Sequence, residues 1–162
     1  MRRQRTLRLL EPGESAPDFS LERLDGGSDS LAKLAAETSV LLAFLKISCP
    51  ICQLTLPFLE RIHAAGGLRI VAISQNAPRD TRRFNQEFGL TMPTLLDTES
   101  SGYAASNAYG ISSVPTMFLL EKGGRISRVM EGWNRKEIEQ LGAETGVNVI
   151  RDSDHVPAWK AG

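Results

Sequence analysis

A chain of 162 residues with a formal net charge of zero, about two fifths of it apolar, suits one globular domain with a real core. The balanced charge gives no grounds for a nucleic-acid or acidic-membrane partner, and no apolar run reaches the length of a membrane span. Two cysteines, Cys49 and Cys52, are too few for a disulfide-stapled scaffold, so their C-x-x-C spacing points to chemistry.

The first eight residues hold four arginines and read as a solvated, frayed terminus. No apolar h-region follows them, so no secretory signal is read. The expected location is cytoplasmic, or periplasmic or extracytoplasmic if a leader has been removed. Residues 1–12 are assigned to an N-terminal tail, 13–141 to one domain and 142–162 to a C-terminal tail. Residues 19–24 alternate as a short strand, and Asp25-Gly26-Gly27 turns it back. Ser30 is placed to cap a short helix over 31–37. Val40–Leu45 is a continuous apolar run, the mark of a strand buried on both faces.

The CPIC motif comes next. From 50 to 65, Leu54, Phe58, Leu59 and Ile62 recur at helical spacing; Pro57 is expected to kink this helix and Gly66-Gly67 to end it. Residues 68–73 form the next buried strand, 78–88 an amphipathic helix closed by Gly89, Thr94–Leu96 a short strand, and 102–109 a helix closed by Gly110. Two strands, Thr116–Leu120 and 126–130, are joined by the turn Lys122-Gly123-Gly124. Asn134 caps a last helix running to about Leu141. In the aperiodic remainder, Val156, Pro157 and Trp159 are the residues expected to pin the chain to the body; Trp133, Trp159 and Tyr109 read as packing residues. This order predicts an α/β fold: a mixed central sheet with helices on both faces.

Cys49 stands just after a buried strand and at the start of a helix. The unpaired backbone N–H groups there carry partial positive charge, which favours a thiolate over a thiol. Cys49 is therefore the expected nucleophile. Pro50 suits the first helical turn, where its missing N–H costs nothing. Cys52, three residues on, lies on the same face and is placed to resolve a mixed disulfide on Cys49. A zinc site needs four ligands, and His63 and His155 are not spaced to complete one, so no metal is expected. Lys46 precedes Cys49 by three residues and reads as a solvated residue or as a charge acting on a thiol. His63 reads as a surface or satisfied histidine. Val114-Pro115-Thr116 opens a buried strand, as a tight turn or as a cis proline facing the cysteines.

The segments GESAPDFSL, LLAFLKISCPICQLTLPFLERI, VAISQN, PTLLD, AYGISSVPTMFLLEKGGRI and EGW fall in an order that resembles the TlpA/ResA branch of the thioredoxin-like proteins, grouped more broadly with the AhpC/TSA peroxiredoxins. The resemblance spans about residues 13–141. It implies a thioredoxin-like fold with an N-terminal strand or hairpin extension and an extra strand–helix insert over about 68–96. It also implies a thiol–disulfide oxidoreductase acting on protein thiols and disulfides; the chain is expected to act as a monomer. The redox-active disulfide Cys49–Cys52 would be its only cofactor. Pro115 takes the place of the family's cis proline, leaving Val114 to pair with an incoming peptide as an added strand. Three positions depart from the pattern. Ser48 replaces a tryptophan before the first cysteine, Ala43 replaces a buried acid, and Thr55 replaces a glutamate, so no carboxylate is assigned to carry protons for Cys52. Two alternatives remain: an AhpC/TSA-type peroxidase, whose proline and threonine positions are Leu42 and Lys46 here, and a non-enzymatic redox or metallochaperone module.

Overall fold

The computed structural model describes residues 8–162. Arg2, Arg3 and Arg5, read as part of a frayed terminus, lie outside that range, whereas Arg8 grips Glu14 through both carboxylate oxygens. A hairpin comes first: Ser20–Arg23 (β1) pairs antiparallel with Ser28–Ser30 (β2). The turn between them uses Gly26 and Gly27 at φ 103° and 76°, a conformation open chiefly to glycine. Ser30 caps Leu31–Leu34 (α1), accepting the Lys33 N–H at 3.2 Å. This helix stops short of the expected residue 37 because the Ala35 carbonyl is taken by the Gly123 N–H at 2.8 Å.

The centre follows the apolar pattern closely. Val40–Leu45 (β3) is buried at all six positions and leads into Pro50–Ala64 (α2). Then come Arg69–Ser74 (β4), Pro78–Glu87 (α3) and Thr94–Leu96 (β5). A 3-10 turn, Glu99–Ser101, precedes Ala104–Ala108 (α4). That helix starts two residues later than the expected 102, because Tyr103 is held left-handed at φ 50°. Thr116–Leu120 (β6) and Ile126–Glu131 (β7) form the predicted hairpin. Trp133–Asn134 (β8), Arg135–Glu144 (α5) and Trp159–Lys160 (β9) complete the chain, with Asn134 capping α5 through the Glu137 N–H at 3.1 Å.

Seven strands make one mixed sheet in the order β2-β1-β5-β4-β3-β6-β7. β3 runs parallel to β4 and antiparallel to β6, so the strand that delivers the CPIC motif lies beside the strand that Pro115 opens. Alternation along β3 and β6 puts Phe44 and Phe118 on one face, where both rings pack on the buried Tyr109 at 5.3 and 5.2 Å between centroids. α2 packs against β4, β8 and α5, with Phe58 against Trp133 at 5.1 Å. Pro57 lies inside α2 without ending it.

Two buried carboxylates brace this frame. Glu60 of α2 accepts hydrogen bonds from the backbone N–H groups of Thr91 (2.7 Å) and Met92 (3.2 Å) and from the Thr91 hydroxyl. Asp97 accepts from the Ala105 and Ser106 N–H groups and the Ser106 hydroxyl, tying the end of β5 to α4. Trp133 and Tyr109 pack in the core as predicted, but Trp159 does not: its side chain is 61% exposed. The chain near it is held through main-chain groups instead. β9 pairs with β8, and the Trp133 indole N–H donates to the Pro157 carbonyl at 2.7 Å.

Candidate active site

Cys49 is the N-cap of α2. Its extended backbone (φ −83°, ψ 116°) turns the chain out of β3, and its Sγ accepts the Cys52 N–H at 3.3 Å. Pro50 fills the first helical position, where no N–H is needed. The turn between strand and helix is held at both ends of one residue. The Ile47 N–H donates to Asn76 Oδ1 and the Ile47 carbonyl accepts from Gln53 Nε2, both at 3.0 Å. The Cys49 N–H closes on the Lys46 carbonyl at 3.2 Å.

The two thiols sit in different surroundings. Both are free; Cys49 is half-buried and Cys52 fully buried. Burial pushes the Cys52 thiol far above its ordinary range, and the neighbouring Cys49 adds to that. A backbone hydrogen bond from Lys46 and the Lys46 charge act the other way. So Lys46, exposed as predicted, exerts its charge on Cys52. Cys52 remains a protonated thiol at neutral pH, while Cys49 faces solvent.

The second half of the site comes from the loop before β6. The Val114–Pro115 bond is cis, and the Val114 carbonyl accepts from Cys49 Sγ at 3.3 Å. This brings together Cys49, Cys52, Pro50, Val114 and Pro115. The loop is pinned by the Thr116 hydroxyl on the Ser113 carbonyl and by the Gly132 N–H on the Pro115 carbonyl, both at 2.8 Å. A small cavity of about 80 Å³ lies beside it, lined by Lys46, Gln75, Ser113 and Val114. A larger hollow of about 530 Å³ holds neither cysteine; it lies at the opposite end of β3, near Thr38, Arg69 and Glu144.

At the departures, Ser48 is exposed, Ala43 is fully buried, and Thr55 is fully buried with its hydroxyl unpartnered among the described residues. The buried carboxylates Glu60 and Asp97 are spent on backbone amides. His63 is half-buried with Nδ1 unpartnered among the described residues, and those residues hold no cluster suited to a metal ion. Sequence reasoning missed Asn76 and Gln53, which hold Ile47, and Gly132, which holds Pro115. Only the position of Gln53, beside the motif, carried a signal.

The sequence matches the AhpC/TSA family over residues 12–129. The thiol–disulfide oxidoreductase ResA of Geobacillus thermodenitrificans is 31% identical over 129 residues, covering 77% of this chain and 72% of that protein. ResA of Halalkalibacterium halodurans is 34% identical over 128 residues, covering 76% and 70%. In structure, the chain superposes on the thioredoxin domain of a thiol–disulfide oxidoreductase from Bacteroides vulgatus with a TM-score of 0.72 at 22% identity, covering 86% of this chain and 99% of that one. The thioredoxin-like fold, the CPIC motif at its helix start and the family match over most of the length agree: the chain belongs to the AhpC/TSA family.

Proposed function

We propose that this chain, a thiol–disulfide oxidoreductase, exchanges electrons with protein disulfides through Cys49 and Cys52, acting as a monomer. The observation that carries the reading is the placing of Cys49 Sγ between the Cys52 N–H and the Val114 carbonyl, both at 3.3 Å, with a second thiol buried beneath. As a thiolate, Cys49 keeps the Cys52 N–H as its hydrogen-bond donor and attacks one sulfur of a partner disulfide. A Cys49–partner disulfide forms, and the other partner sulfur leaves as a thiolate and takes up a proton. Cys52 then gives up its proton and attacks Cys49 Sγ. The partner leaves as a dithiol and a Cys49–Cys52 disulfide remains, two electrons having passed to the partner. A thiol donor reverses the sequence, so the compartment's redox poise sets the direction of flow.

The family's peroxidase chemistry finds less support here. Lys46 stands where a peroxide-holding threonine would, and the structure offers the Val114 carbonyl, an acceptor, next to Cys49. The test uses the reduced protein with insulin and, separately, with hydrogen peroxide. Insulin reduction that Cys49→Ala abolishes, with slow peroxide consumption, supports exchange. Rapid peroxide turnover, with a stable sulfenic acid at Cys49 in Cys52→Ser, would replace this reading by the peroxidase.

A further inference from the structure

Residues 158–162 run directly into the active site. β9 pairs antiparallel with β8, Lys160 opposite Trp133 and Trp159 opposite Asn134, and the Arg135 N–H donates to the Ala158 carbonyl at 2.9 Å. The chain then passes Gly132, where a Cβ would fall 2.5 Å from the Lys160 carbonyl oxygen. It reaches Val114 at Gly162, where a Cβ would fall 2.2 Å from the Val114 carbonyl oxygen and 2.8 Å from its carbon. Neither glycine has room for a side chain, so backbone lies on backbone. That same Val114 oxygen accepts from Cys49 Sγ. The strip next to the nucleophile is therefore already covered by an extended piece of this chain.

The cover is held lightly. β9 is two residues long, its partner β8 is also two, and an isolated two-stranded ladder is marginal in water. Trp159 contributes little burial: it is the one large exposed apolar side chain among the described residues. What holds the segment is main-chain pairing, which any extended polypeptide offers equally well.

We propose that the strip from Val114, before β6, through Gly132 and along β8 to Arg135 is the docking strip for an extended, disulfide-bearing polypeptide strand, and that residues 158–162 occupy it in the free protein and are displaced when such a partner binds. This rests on the exchange reading above. The partner strand takes over the hydrogen bonds that β9 makes, which brings its disulfide to Cys49. Small disulfides need no such strip and reach the half-buried Cys49 directly. The cover therefore discriminates between polypeptide and small-molecule disulfides.

The experiment traps the docked state. Reduced Cys52→Ser protein is treated with a synthetic extended decapeptide whose central cysteine is activated as a mixed disulfide with thionitrobenzoate. Cys49 displaces the thionitrobenzoate thiolate and remains disulfide-linked to the peptide. In the adduct, amide hydrogen exchange of residues 158–162 should speed by about tenfold or more, while Trp133–Arg135 keep their protection under the new strand. A second measurement compares rates in Gly162→Val, whose side chain has no room against Val114. The ratio of peptide-disulfide to free dithionitrobenzoate reactivity should rise by about threefold or more. Unchanged protection of 158–162 in the adduct, or an unchanged rate ratio, overturns the proposal. Failure of both disulfides to react would strike the exchange reading itself, a result distinct from either of these.

Discussion

The junction between β3 and α2 and the cluster of Val114, Gly132 and Gly162 meet at one sulfur atom, yet they are built in opposite ways. The junction is short in sequence and dense. A strand buried at every position turns through two side-chain clamps into a helix whose Cys52 N–H serves Cys49. The cluster joins segments far apart in the chain, Cys49 and Val114 being 65 residues distant, and apart from the Cys49 thiol and the Thr116 hydroxyl its contacts are between main-chain groups. The first arrangement fixes a reactive group in place. The second leaves a surface that another strand can use. Chemistry needs rigid placing of one atom, while recognition of varied partners needs an edge that can exchange.

The junction should dominate activity. Cys49→Ala should lower insulin reduction by about a thousandfold or more while circular dichroism and thermal unfolding stay close to wild type. Retained activity would mean that the reactive sulfur lies elsewhere. The contrast between the two thiols gives the next effect. Because burial holds the Cys52 thiol above its ordinary range, its thiolate fraction rises about tenfold per pH unit through neutral and mildly alkaline conditions. Release of a partner from Cys49 should speed accordingly between pH 7 and about 8.5. A release rate flat with pH would show another group removing the proton. The same shift acts on stability. The folded state keeps the Cys52 proton at pH values where the unfolded chain has lost it. Reduced protein should therefore be at full stability below about pH 8.5 and lose stability above it, and Cys52→Ala should lack that loss.

Packing sharpens the comparison further. Leu42→Ala, in a fully buried position of β3, should cost about 2–5 kcal/mol in denaturant unfolding, whereas Trp159→Ala, at an exposed position of β9, should stay within about 0.5 kcal/mol. Equal losses would mean that β9 is as firmly built as the core. The smallest effect concerns the strap between α5 and β9. There the Arg61 guanidinium, held by Asp154 and the Val149 carbonyl, keeps the Asp154 carboxyl at about 2. A depressed carboxyl contributes stability above its ordinary value near 4 and loses it as pH falls towards 2. Asp154→Asn should therefore lower the unfolding temperature slightly at pH 6, with the gap closing by about pH 2.5.

Most of the scaffold and the reactive pair were legible because their causes are local. A six-residue apolar run reports a doubly buried strand, the spacing of Leu54, Phe58, Leu59 and Ile62 reports a helix, and a cysteine at their meeting point inherits the helix's unpaired N–H groups. Helix ends were less legible where tertiary partners took over, as when the Gly123 N–H claimed the Ala35 carbonyl and ended α1 early. Trp159 was misread for a related reason. Its size suggested an anchor, but its strand is held by backbone pairing, which carries no side-chain signature in sequence.

Composition and periodicity were enough for an α/β domain with a thiol pair at a helix start. They carried no information on which backbone would face that pair; the expectation that Val114 and Pro115 do so came from the family resemblance. Setting Val114 against Cys49 required β6 to lie beside β3, and laying Gly162 on Val114 required β9 to find β8. Those pairings depend on the order of strands across the sheet and on glycines accepting close backbone approach. Both are properties of segments distant in the chain, and they come into being only when the core brings the segments together.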